Sequence, residues 1–284
     1  MLTPHVQQLI ALALEEDSGR GDVTSFAIPA EKNVRATVIT RDACTISGIE
    51  LATWILSIAQ ARVKVEEKVK NGERTKANQE ILVFSGNARE LFTLERTILN
   101  FLQRSCGVAS EAARYRDALG EFGSKIRVTD TRKTMPGWRF LDKQAVRDGG
   151  LYNHRFGLDA GVLIKENHIR AAGGIKQAVV AILANIPHVL KIEVEVSNRA
   201  EAFEAIEAGA EALLLDNFSV TGLQTLVPEL RKHSPKLFLE ASGGIHINNI
   251  RDYAATGVDC ISVGALTHSV QAANLSMLCD FGNT

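Results

Sequence analysis

The chain has 284 residues, 45% of them hydrophobic and 23% charged, with a formal net charge of −1. That length suits one large α/β barrel or two domains, and the near-neutral balance excludes a global field drawing it to nucleic acid or membrane. Four cysteines, at 44, 106, 260 and 279, show no CxxC spacing, which excludes a zinc site or a disulfide framework. The N-terminal MLTPHVQQL lacks the basic and apolar regions of a signal peptide, and no apolar run approaches a membrane span, so a reducing cytoplasm is the expected location.

Thr3 can cap a helix with Pro4 at its first position. Val6, Leu9, Ile10, Ala13 and Leu14 keep the helical apolar spacing, and the helix is expected to end before the turn-rich run from Asp17 to Asp22. Residues 34–40 alternate as a strand, 49–58 look helical, and 63–69 and 80–84 look like further strands, so the first third reads as a small α+β layer. Residues 88–104 form a helix whose apolar stripe is Leu91, Leu94, Ile98 and Leu102. Arg96 lies well off that stripe at about 100° per residue. It is free to serve something other than its own core, although an ordinary exposed arginine fits the pattern equally well.

After Gly107 the pattern changes to strands alternating with helices. Strands are predicted at 125–129, 161–164, 191–195, 212–215, 237–240 and 260–263, and helices at 177–185, 199–208, 220–232 and 247–255, with Ser197 or Asn198 as a cap for the second. Such alternation argues for parallel strands with crossover helices. There is no GxGxxG after a strand and no Walker loop, so a TIM-like barrel short of eight strands fits better than a dinucleotide fold.

The segment 130–168 concentrates charge: thirty-nine residues hold seven Lys or Arg, two His and five Asp or Glu. Two strand-like segments each deliver a basic cluster at their C-terminal ends, Arg132-Lys133 and Lys165-Glu166-Asn167-His168, with Asn153-His154-Arg155 between them. Such a cluster asks for an anionic ligand, because Arg matches carboxylate and phosphate with a planar fork and Lys supplies a compact charge. A solvated, salt-bridged surface is the bland alternative. Against it, the charges lie beside glycines and at strand ends, not along one helix face. The other strands end in Glu193-Val194-Glu195, Asp216-Asn217, Ser242-Gly243-Gly244 and Gly264-Ala265. A barrel would gather these at one rim, where small residues let backbone N–H groups approach a phosphate.

With these segments in view, the chain resembles the quinolinate phosphoribosyltransferases. The resemblance is carried by EEDSGRGDVTS (15–25), LERTILNFLQRSCGVAS (94–110), DTRKTMPGWR (130–139), AVRDGGLYNHRFGL (145–158), VLIKENHI (162–169), VEV (194–196), LLLDN (213–217), EASGGI (240–245) and TGVDCISVGALTHS (256–269), in order along nearly the whole chain. Trp138, Phe140 and Leu151 stand where the family usually has other residues. The resemblance implies an N-terminal α/β sandwich domain (1–106), an incomplete α/β barrel of about seven strands (107–268) and a C-terminal segment (269–284) returning to the first domain. It also implies a homodimer with shared active sites. Arg132, Arg155, Lys165 and His154, with Arg96 arriving from the partner subunit, would bind quinolinate. Glu195 and Asp216 would hold the ribose hydroxyls and Mg²⁺ of phosphoribosyl diphosphate. Lys133 would bind the diphosphate leaving group, with Thr131 beside it. Ser242, Gly243, Gly244, Val263, Gly264 and Ala265 would cradle the 5-phosphate. Lys133, Glu195 and Asp216 are thus the expected catalytic residues.

Other readings remain at this level. A paralogue of the molybdenum-uptake type would keep the phosphoribosyl site and change the base, but a set of cations suited to two carboxylates argues against it. A barrel aldolase would use Lys165 as a Schiff-base lysine, which borohydride trapping would reveal. A non-catalytic binding protein would not need the acidic residues.

Overall fold

The structure is a computed structural model that describes residues 2–281. It contains two compact units. The first comprises the residues up to Ala113, Thr134–Gly150 and those from Leu266 on; the second comprises Arg114–Lys133 and Leu151–Ala265. No helix of the described residues is long and apolar enough to cross a membrane.

The first unit is built on an antiparallel four-stranded sheet. Its members are β1 (Asn33–Thr40), β2 (Val63–Glu67), β3 (Glu80–Asn87) and β10 (Leu275–Asp280), in the order β10-β1-β3-β2. Helices α1 (Pro4–Ser18), α2 (Leu51–Ile58) and α4 (Arg139–Asp148) belong to this unit, as does most of α3 (Ala88–Ala118). Val6 and Ile10 of α1, Leu51 and Ile55 of α2, Leu82 and Phe84 of β3, and the predicted stripe Leu91, Leu94, Ile98 and Leu102 share one apolar core. Arg96 is exposed, as its place off the stripe requires.

Two helix ends differ from the sequence expectation. Helix α1 runs on through Asp17 to Ser18, capped by Thr3 at one end. At the other, Gly19 takes φ 48° and donates its N–H to the carbonyl of Glu15. The polar residues that looked like a turn are therefore a last helical turn closed by glycine. Helix α3 was expected to stop at Arg104, and Gly107 looked like the break. It continues to Ala118. Gly107 is there for space: a Cβ would stand 2.3 Å from the carbonyl oxygen of Gln271 in the returning C-terminal segment. Neither α4 nor β10 was expected from sequence. The exposed C-terminal half of β10 has no clean alternation, and its place follows from pairing with β1 from Arg35↔Asp280 to Thr40↔Leu275.

Helix α4 is tied down by charge as well as packing. Arg104 donates through Nε and Nη2 to both carboxylate oxygens of Asp142, at 3.0 and 2.8 Å. Asp142 is 1% exposed. Burial pushes its carboxyl above the usual range, and Arg104 pulls it back. Breaking one side of a buried pair leaves an uncompensated charge, so Asp142→Ala is expected to cost about 3–5 kcal/mol. Urea unfolding of wild type and variant measures this, and an unchanged midpoint would refute it.

The second unit carries a parallel six-stranded sheet in the order β4-β9-β8-β7-β6-β5. The strands are β4 (Arg127–Thr129), β5 (Val162–Ile164), β6 (Ile192–Val196), β7 (Ala212–Asp216), β8 (Phe238–Ser242) and β9 (Cys260–Ser262). Helices α5 (Glu166–Ala172), α6 (Ile175–Leu183), α7 (Arg199–Ala208), α8 (Val220–His233) and α9 (Ile250–Ala254) follow strands in turn. Asn198 is the residue that caps α7. The α5 segment was not expected as a helix. The order is that of a barrel in which the first and last strands, β4 and β9, have met. A parallel bridge from Thr129 to Tyr152 adds a seventh position on the other side of β4. Among the described residues no pairing joins Tyr152 to β5, so the barrel is incomplete.

Each strand has two different faces. On β6, Ile192, Val194 and Val196 are buried while Glu193 and Glu195 alternate with them. Register partners in a parallel sheet share a face, and Leu163↔Glu193, Glu195↔Leu214, Leu214↔Glu240 and Glu240↔Cys260 therefore line one side. That shared side is the inner wall of the open barrel and carries the polar residues.

Candidate active site

A cavity of about 200 Å³ opens at the C-terminal ends of these strands. Its walls are Thr131, Arg132 and Lys133 after β4, and His154 and Arg155 after the Tyr152 bridge. Lys165 after β5, Glu195 on β6, Asp216 on β7, Glu240 and Ser242 on β8, and Ser262 on β9 complete it. Side chains at strand C-termini are where barrel enzymes keep their chemistry.

Asp130 organises the basic side. It is fully buried, and its Oδ1 accepts the backbone N–H of His154 at 2.9 Å. Next, the backbone N–H of Arg155 donates to His154 Nδ1 at 2.8 Å. Nδ1 is thus an acceptor, and the ring carries its proton on Nε2. Arg155 is anchored by Nη1 on the carbonyl of Gly161 at 2.7 Å, and its Nε is buried without a hydrogen-bond partner among the described residues. Burial, then the neighbouring Arg132 charge, lowers its pKa, and Glu193 raises it again. A half-buried arginine fixed beside a second arginine suits an anion with more than one negative group.

The acidic side is built from neighbouring strands. Lys165 Nζ lies 2.6 Å from Glu195 Oε2. Asp216 is raised by burial and by the charge of Glu195, and lowered by Lys165, Asn217 and Lys133. Those influences place Lys133, Lys165, Glu195 and Asp216 in one electrostatic group. A carboxyl raised by a neighbouring carboxylate also suits a divalent cation.

The two glycines of the rim differ in their surroundings. Gly243 has φ +89°, and a Cβ there would stand 2.2 Å from Asn217 Oδ1. Gly244 has φ +63° and open space where a Cβ would be. Val263 donates its N–H to the carbonyl of Thr129 at 2.9 Å, and Gly264 and Ala265 follow it out of β9. A second cavity of about 450 Å³ runs along β5 and α6, lined mainly by apolar side chains such as Val162, Ile182 and Leu190. It shares Arg155 but has none of Arg132, Lys133, Lys165, Glu195 or Asp216, so the chemistry belongs to the smaller one.

The structure thus brings Thr131, Arg132, Lys133, His154, Arg155, Lys165, Glu195, Asp216 and Ser242 around one cavity. Arg96 belongs to the first unit and is not among its lining. Sequence reasoning gave no role to two participants, although it placed Glu193 at the rim. Glu240 lines the cavity while 3% exposed, and Glu193 stands close to His154. The signal was the two-residue period of IEVEV, which puts Glu193 and Glu195 on one face, and an acidic residue inside the otherwise apolar strand FLEAS.

Two family models match the chain: "Quinolinate phosphoribosyl transferase, N-terminal domain" over residues 22–106 and "Quinolinate phosphoribosyl transferase, C-terminal domain" over residues 108–278. The nicotinate-nucleotide pyrophosphorylase [carboxylating] of Mycobacterium leprae is 38% identical over 272 residues, which are 94% of this chain and 95% of that protein. The solved nicotinate-nucleotide pyrophosphorylase of Francisella tularensis has a TM-score of 0.91 at 37% identity, covering 98% of each chain. That of Ehrlichia chaffeensis gives 0.90 at 34%, covering 96% of this chain and 98% of the other.

Proposed function

The chain belongs to the quinolinate phosphoribosyltransferase family and transfers the phosphoribosyl group of 5-phosphoribosyl 1-diphosphate to quinolinate with decarboxylation, and on that premise we propose how its residues divide the work. The products are nicotinate mononucleotide, diphosphate and CO2, a step of NAD biosynthesis. The carrying observation is the meeting of Arg132, Arg155, Lys165 and His154 with Lys133, Glu195 and Asp216 around one cavity. A base changed as in the molybdenum-uptake paralogues is not favoured, since the matched relatives bear the carboxylating name.

Arg132, Arg155, His154 and Lys165 bind the two ring carboxylates. Ser242, Gly243, Gly244, Val263, Gly264 and Ala265 cradle the 5-phosphate, and the open space beside Gly244 supports this. Lys133, with Thr131 accepting its backbone N–H at 3.0 Å, holds the departing diphosphate. Glu195 and Asp216 hold the ribose hydroxyls and a Mg²⁺ ion, and two mutually repelling carboxylates on adjacent strands fit that ion. When bound, Mg²⁺ neutralises the diphosphate as negative charge builds on it.

The bond from ribose C1 to diphosphate breaks with its electron pair going to the leaving group. The pyridine nitrogen forms the new bond to C1. The resulting cationic ring draws in the electron pair of the C2 carboxylate bond as CO2 departs. No side chain acts as nucleophile, and rate comes from positioning and fixed charge. The enzyme works as a homodimer in the cytoplasm, with Arg96 of one subunit completing the quinolinate pocket of the other. The exposure of Arg96 on its own chain supports this.

Incubation with quinolinate, phosphoribosyl diphosphate and Mg²⁺ is expected to yield nicotinate mononucleotide, diphosphate and CO2 in equal amounts, and chelation of Mg²⁺ to stop it. Equal use of nicotinate as the base would contradict recognition of two carboxylates.

A further inference from the structure

Decarboxylation leaves an account unclosed at C2 of the ring. The carbon keeps the electron pair of the broken bond and must receive a proton. None of the groups assigned so far is an obvious acid: Arg132, Arg155 and Lys165 are committed to charge, and His154 has a single ring proton fixed on Nε2 by the Arg155 N–H.

Glu240 is the one carboxyl in the cavity wall that is almost wholly removed from water, at 3% exposure. Glu193 stands near it from β6, Leu214 is its register partner on β7, and Cys260 and Ser262 flank it from β9. His154 Nε2 approaches Glu240 Oε2 at 3.5 Å and Glu193 Oε2 at 3.7 Å. A single imidazole ring thus serves two carboxyl groups, and it cannot offset two anions. Glu240 Oε1 has no hydrogen-bond partner of normal geometry among the described residues. A buried carboxylate oxygen left so is costly, whereas a protonated one has no charge to solvate. Two ionised glutamates here would also repel the dianion that the arginines attract.

We propose that Glu240 is a catalytic acid: it is protonated in the quinolinate complex and delivers that proton to C2 after CO2 leaves. The inference rests on quinolinate occupying this cavity. The C2–carboxylate bond breaks with its pair on C2, the O–H bond of Glu240 breaks with its pair on the carboxylate, and C2–H forms. Glu240 regains a proton from water when the nucleotide departs. The electrostatics agree: burial first, then the charge of Glu193, raise Glu240 to about 7, with His154, Ser262 and Cys260 lowering it somewhat. The acid form is present below that value and is lost as pH rises through it.

Glu240→Gln keeps the shape and removes the exchangeable acid. Three readouts test it. Quinolinate binding to wild type, by calorimetry in buffers of different ionisation enthalpy above pH 7, is expected to take up protons, and the variant none. In a single turnover the variant is expected to release diphosphate at near the wild-type rate, with nucleotide formation slowed roughly 10²- to 10⁴-fold, the usual worth of a positioned acid. The wild-type nucleotide-forming step should fall as pH rises through about 7, a limb absent in Glu240→Gln and restored in Glu240→Asp. No proton uptake by wild type, or equal slowing of both steps together with lost quinolinate affinity, would overturn the proposal. Arg155→Ala separates the two levels. If it retains full quinolinate affinity, the cavity assignment fails and this inference with it. If it loses affinity while Glu240→Gln behaves as wild type, only the inference fails.

Discussion

Arg155→Ala is expected to weaken quinolinate binding roughly 30- to several-thousand-fold, with the fold intact and the affinity for phosphoribosyl diphosphate kept. Truncating one partner of a buried, hydrogen-bonded charge pair costs about 2–5 kcal/mol, and each 1.4 kcal/mol is about tenfold. Arg155 qualifies in part: it is half-buried, with its Nε shut away from water, lies beside Arg132 and is tethered to Gly161. Its remaining N–H groups are thereby aimed instead of mobile. Arg155→Lys should recover little, because an ammonium cannot reproduce the planar fork. Calorimetry with quinolinate alone decides the matter, and a loss under fivefold would remove Arg155 from carboxylate recognition.

The second large effect is a gain. Arg96→Ala and Arg155→Ala chains, each inactive alone, are expected to recover activity when mixed and allowed to exchange subunits. Random pairing puts half of the dimers in mixed form, and one of the two sites in each carries neither substitution, so activity should approach about a quarter of wild type. Arg96 suits this role physically, since α3 buries Leu91, Leu94, Ile98 and Leu102 on its other side and leaves the guanidinium exposed. Removing it should hardly affect stability. Continued inactivity with subunit exchange demonstrated would show that Arg96 acts within its own chain.

Much of the barrel was legible because its signals are local. The strand cores LLLD and IEVEV carry continuous or alternating apolar residues, and α7 was found from Arg199 to Ala208 because Asn198 caps it and Gly209 closes it. What could not be read is what distance in sequence conceals. Gly107 breaks helices in isolation, and only the segment near Gln271 explains why it stands inside one. The strand at 237–240 was expected to end at Glu240, whereas β8 runs on to Ser242, so Glu240 looked like a strand end and not a wall of the cavity. The basic residues were readable as a group because charge clustered beside glycines needs no tertiary partner to be conspicuous.

The pairing of β10 with β1 has a consequence for biosynthesis. During translation β1, β2 and β3 emerge early, yet the outer edge of β1 has no neighbour until residues 275–280 are made. All six strands of the parallel sheet, by contrast, are complete by Ser262. Domains tend to fold as they appear. On the ribosome the parallel sheet can therefore close its ladder while the earlier sheet still shows an open rim to its surroundings, and open rims invite strands from other nascent chains. The last strand acts as a late seam that retires this hazard. Truncations that remove β10 (Leu275–Asp280) should accordingly show up less as slow enzymes than as aggregates in the cell.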